Sequence, residues 1–72
     1  MKQYVIYYIN DEIEVFTANS NKEAKDEAFE IEAGNNQEEG FIIENIARVD
    51  GDYNVIEYLL KDWSIEITYS AP

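Results

Sequence analysis

The sequence predicts an α+β domain: a single antiparallel sheet of about five strands with one helix packed on one face, in the order β-β-α-β-β-β. Three observations carry this expectation. β-branched and aromatic runs fill both ends of the chain, one stretch between them has apolar residues at helical spacing, and most breaks are short and polar.

The first run, "QYVIYYI" (Gln3 to Ile9), and the second, "IEVFT" (Ile13 to Thr17), flank Asn10, Asp11 and Glu12 and read as a hairpin. Ser20 follows as a helix cap. Glu23 stands at the reciprocal position of a capping box, ahead of Ala24, Ala28 and Ile31 at helical spacing, so a helix is expected from about Asn21 to Ala33. Gly34 is the expected C′ stop. After the polar "NNQEEG", the segments "FIIENIARV" and "YNVIEYLL" read as strands around Asp50-Gly51-Asp52, with Gly51 supplying a positive φ. A turn at Lys61-Asp62 leads to "WSIEITYS", whose alternation of Trp63, Ile65, Ile67 and Tyr69 with polar residues predicts a last strand.

One helix covers one face of such a sheet, yet several strands are apolar on both. Val5, Tyr7 and Ile9 alternate with Tyr4, Ile6 and Tyr8, while Phe41, Ile43, Ala47 and Val49 alternate with Ile42 and Ile46. The second face is therefore expected to expose a patch rich in Tyr and Ile, suited to a dimer or a partner, unless the sheet curls over it.

The 72 residues form one domain, 1–72, and 46% hydrophobic with 14% aromatic residues separates the chain from disordered acidic tails. With 16 acidic against 5 basic residues, the net charge of −11 opposes binding to nucleic acid or anionic membranes and favours basic proteins as partners. The absence of cysteine fits a reducing cytoplasm. The apolar run in "MKQYVIYYIN" is too short for a signal peptide or a membrane span.

Neither His nor Cys is present, which removes the commonest general base, metal ligand and thiol nucleophile, and the glycines stand singly, so no phosphate-cradling loop exists. No enzyme activity and no cofactor are expected. "DGDYN" spaces Asp50, Asp52 and Asn54 like a calcium loop, but Val55 replaces the required Gly and Lys61 the bidentate Glu. A hairpin turn explains these residues better, and no metal site is expected.

The carboxylates of the helix are one-sided. On a helical wheel Glu23, Asp26, Glu27 and Glu30 share an arc beside the Ala24, Ala28 and Ile31 stripe, and Phe29 lies on the far flank as a candidate anchor. Their like-charge pairs at i,i+3 and i,i+4 cost on the order of 1 kcal/mol together at low salt. A helix chosen for solubility interleaves Lys with Glu, so charge directed at a basic partner is the sharper reading. Glu38, Glu39, Asp50 and Asp52 form a second candidate cluster. Carboxylates about 6 to 7 Å apart, as at i,i+4 on a helix or i,i+2 on a strand, present a row comparable to DNA phosphates.

The layout of Met1-Lys2, Tyr4 to Ile9, Glu23-Ala24-Lys25, Asp50-Gly51-Asp52 and Lys61-Asp62-Trp63 resembles a type I-F family of anti-CRISPR proteins, small phage-encoded inhibitors of bacterial defence. That family looks to act through basic and polar residues, whereas this chain is acidic, so no functional residue is carried over. Its charge is similar to that of acidic anti-CRISPR and anti-restriction proteins that mimic DNA. The resemblance implies a non-enzymatic inhibitor in the host cytoplasm that occupies the DNA- or RNA-binding groove of a basic protein such as a Cas effector or restriction enzyme. The alternative expectation is a module that pairs or homodimerises through the aromatic sheet face, with acidity serving solubility.

Overall fold

In the computed structural model, residues 1–35 and 40–60 are described. They form strand β1 (Lys2–Tyr8), strand β2 (Ile13–Ala18), helix α1 (Asn21–Gly34), strand β3 (Ile43–Val49) and strand β4 (Val55–Tyr58). All pair antiparallel in one sheet of order β2-β1-β3-β4. The fold is thus α+β with one helix and four strands among the described residues. The predicted fifth strand, residues 63–70, and the Lys61-Asp62 turn lie outside them.

β1 occupies a central position because it is apolar on both sides. Tyr4, Ile6 and Tyr8 point toward α1, where Ile6 and Tyr8 pack with Ala28 and Ile46, and Tyr4 packs with Ala18 and Ala24. Phe16 stacks on Tyr4 with centroids 5.6 Å apart, and Phe41 meets Tyr8 edge-on at 5.0 Å. Burying an Ile side chain fully, as at Ile6 and Ile46, stabilises by about 1.5–3 kcal/mol. Ala24 and Ala28 are both completely buried, and their small side chains let the helix backbone lie close to the sheet.

The face away from α1 is buried at its centre and exposed toward β2, where Ile13 and Val15 stand opposite Tyr7 and Val5. Val5, Ala47 and Val49 are buried there, with Tyr7 and Tyr58 packed against them and their rings 6.5 Å apart. Exposed apolar side chains are instead at the margins: Ile13 and Val15 on β2, and Val55 and Ile56 on β4.

Strict alternation also fails in β3. A register shift lets Tyr7 pair with Asn45 but Tyr8 with Ile43, so the strand takes an extra residue at Glu44. Ile43 and Phe41 therefore join Ile46 in the helix-side cluster rather than sharing a face with Ala47 and Val49.

The helix start follows the sequence closely. Ser20 Oγ accepts from the Glu23 amide at 3.2 Å, while the Glu23 carboxylate reaches back to the Asn19 amide, one residue before the cap. Its end differs, because Gly34 stays helical and Asn35 is the C-cap at φ −101°, its amide donating to the Ile31 and Glu32 carbonyls. No positive φ is needed there. The β3–β4 turn is corrected likewise: Tyr53, at φ 65°, takes the left-handed conformation expected of Gly51.

Candidate functional site

The acidic residues divide into those that act inside the fold and those that do not. Glu32 Oε2 accepts the Ile43 amide at 2.7 Å, joining the end of α1 to the start of β3. Glu57 accepts from Asn21 Nδ2 and lies 3.7 Å from the Arg48 guanidinium, while Tyr4 Oη donates to Asn21 Oδ1 at 2.9 Å. This chain of contacts joins the first helical residue to both β3 and β4. Asn45, fully buried, accepts from the Ile46 and Leu60 amides through Oδ1 and fastens the chain after β4 to β3. Sequence reasoning singled out none of Glu32, Asn45 and Glu57 for these roles.

Asp50, a residue of the second candidate cluster, is the staple of its own turn. Its Oδ1 accepts the Asp52 amide at 2.8 Å and the Asn54 amide at 3.0 Å, and its Oδ2 accepts Asn54 Nδ2 at 3.3 Å. The Asn54 amide first, then that of Asp52, hold its carboxyl below the ordinary carboxylate value. These bonds give the "DGDYN" spacing a structural purpose. Among the described residues no group of three or more acidic side chains is arranged to hold a metal ion.

On α1, Glu23, Asp26, Glu27 and Glu30 are all exposed, and the buried residues of the helix are Ala24 and Ala28. Two of the four have local partners: Glu23 in the cap, and Asp26 with Lys22 at 3.5 Å, an exposed i,i+4 pair of the kind worth less than about 1 kcal/mol. Glu27 and Glu30 have no ion pair or hydrogen bond among the described residues. Phe29, between them in sequence, is 47% exposed and belongs to no core cluster. Asp52 is exposed, and its side chain likewise takes part in no described contact. Glu38 and Glu39 lie outside the described residues, so the second cluster is described only at Asp50 and Asp52.

Lys22 and Lys25 stand on α1 itself, and Lys2 and Arg48 on the sheet. A depression of ≈ 300 Å³ at one end of the sheet is lined by Lys2, Gln3 and Arg48 together with Asp50 and apolar neighbours. Asp50 is the one carboxylate in that lining, and its oxygens already hold the turn. A carboxylate pair for acid and base work does not assemble there.

No described helix is long and apolar enough to cross a membrane. Comparison of the chain with protein-family models, with curated proteins and with solved structures finds no match.

Proposed function

We propose that this protein is a non-enzymatic inhibitor whose acidic surface imitates nucleic acid and fills the basic DNA- or RNA-binding groove of a defence protein, such as a CRISPR-Cas effector or a restriction enzyme. One observation carries the reading: Glu27 and Glu30 are exposed and stabilise nothing within the described chain, and the same helix exposes Phe29 on its other flank. The like charges repel in the free protein and the exposed Phe29 ring is unfavourably hydrated; cations in a groove relieve the first and an apolar contact relieves the second. Arg and Lys of the partner supply charge-assisted bonds, and Phe29 supplies the apolar anchor that a wet ionic interface otherwise lacks. Glu23, Asp26 and Asp52 extend the surface. Action inside the host cytoplasm, and the five-stranded form of the sheet expected from the sequence, belong to the same proposal.

The first test is capture of basic proteins from a host lysate at 50 and 300 mM salt. Ionic capture weakens steeply over that range because the Debye length falls below about 10 Å. The double variant Glu27→Lys with Glu30→Lys should keep its circular dichroism spectrum and lose inhibition. Full inhibition by that folded variant, or capture indifferent to salt, excludes the helical site.

Pairing through the second sheet face is the competing reading. Burial of Val5, Ala47 and Val49 leaves it only marginal apolar residues with which to form a dimer. It predicts a complex that persists or strengthens at high salt.

A further inference from the structure

The outer edge of β2 carries the next inference. At the β1–β2 hairpin the Tyr8 amide donates to the Glu12 carbonyl at 3.0 Å. Hydrogen-bonded pairs recur at every second position of an antiparallel ladder, so the bonded pairs onward are Ile6 with Glu14, Tyr4 with Phe16 and Lys2 with Ala18. The N–H and C=O groups of Ile13, Val15 and Thr17 therefore point away from β1, and no described residue pairs with them.

Native sheets blunt such edges with a bulge, a proline, a lysine or a very short strand. At the opposite side β4 has four residues and a register shift beside it. β2 has six residues in unbroken register and contains no Lys, Pro or Gly. Beside its open backbone groups stand Ile13, 59% exposed, and Val15, 47% exposed. Self-pairing across this edge is opposed by charge, since it brings together two chains of net −11, each with Asp11, Glu12 and Glu14 at the junction. The same charge favours a strand of opposite sign.

We propose that the β2 edge accepts an extended basic polypeptide segment as an added strand. Alternating side chains would place aliphatic residues beside Ile13 and Val15 and Lys or Arg on the side of Glu14, while the backbone bonds go to Ile13, Val15 and Thr17. This surface is separate from the exposed carboxylates of α1, and its occupant is recognised by main chain as well as by charge.

The test uses a short synthetic peptide of alternating Lys and Val with the full-length protein, so its outcome is independent of any nucleic-acid-binding target. Binding should slow hydrogen exchange of the Ile13, Val15 and Thr17 amides by about tenfold or more. Val15→Pro removes an N–H that bonds nothing in the described chain, a place where an edge strand tolerates proline, and should weaken binding by about tenfold. Ile13→Lys keeps the backbone intact and should also weaken binding, which covers the case in which the proline variant unfolds. Equal affinity for a peptide of the same charge with proline at alternate positions, protection at amides elsewhere, or homodimerisation through β2 in preference to peptide binding would overturn the proposal.

Discussion

At the scale of single residues, the acidic side chains differ in what they hold. Glu32, Asp50 and Glu57 hold backbone or side-chain donors in place, whereas Glu27 and Glu30 hold nothing among the described residues. Asp50 gives the sharpest measurable consequence. Its carboxyl lies below the ordinary aspartate value of 3.8, so its support of the turn is complete above the unfolded-state value and is lost as pH falls through the lower, folded-state one. An NMR titration of the Asp50 carboxyl carbon should show a midpoint below 3.8, with the Asp52 and Asn54 amide shifts moving at the same pH. A midpoint at or above 3.8 would remove the staple from the account. The "DGDYN" motif was legible as a turn from Asp and Gly alone. That Tyr53 takes the positive φ was not, because it follows from where the Asp50 carboxylate pulls the next amides.

At the scale of elements, α1 was legible in nearly full detail because its signals are local. Ser20 and Glu23 set its start, and the Ala24, Ala28 and Ile31 spacing sets its buried side. Contact with the sheet then makes the two alanines stringent. Ala28→Leu would insert three carbons between the helix and Ile6, Tyr8 and Ile46, and should destabilise the protein by about 1–3 kcal/mol in urea unfolding. A loss below about 0.5 kcal/mol would mean that the helix stands further off the sheet than its burial indicates. β3 was legible as a strand but not in its facing. The extra residue at Glu44 reverses the alternation, and a bulge of this kind is set by the partner strand β1 rather than by a residue type in β3. For the same reason the open edge of β2 was invisible in "IEVFT", which reads equally well as a central strand.

At the scale of the whole molecule, net charge dominates. A chain of 72 residues at −11 carries self-repulsion that salt screens, so thermal stability of the free protein should rise with NaCl. Between 10 and 300 mM the melting temperature should increase by about 5 °C, the equivalent of roughly 1 kcal/mol in a domain of this size. A melting temperature that falls with salt would show that the few ion pairs, such as Lys22 with Asp26 and Arg48 with Glu57, outweigh the repulsion. Salt is expected to act in opposite directions on the two states, stabilising the free fold and weakening the proposed ionic complex. That contrast separates charge retained for a partner from charge retained for solubility, which has no complex to weaken.

The sequence by itself determined the α+β class, the existence and type of each described element, the exposed carboxylates of the helix and the sign of the net charge. Each depends on residue type, on spacing along the chain, or on a sum over residues, none of which requires knowing what packs against what. Only the tertiary structure decided which carboxylates are spent inside the fold, which face of the sheet is covered and which edge is open. Those properties arise between segments far apart in sequence, as when Glu57 meets Asn21 or Ile43 meets Glu32. The acidic stretch of α1 thereby resolves into a capping Glu23, an Asp26 paired with Lys22, a Glu32 tied to β3, and two carboxylates, Glu27 and Glu30, left facing solvent.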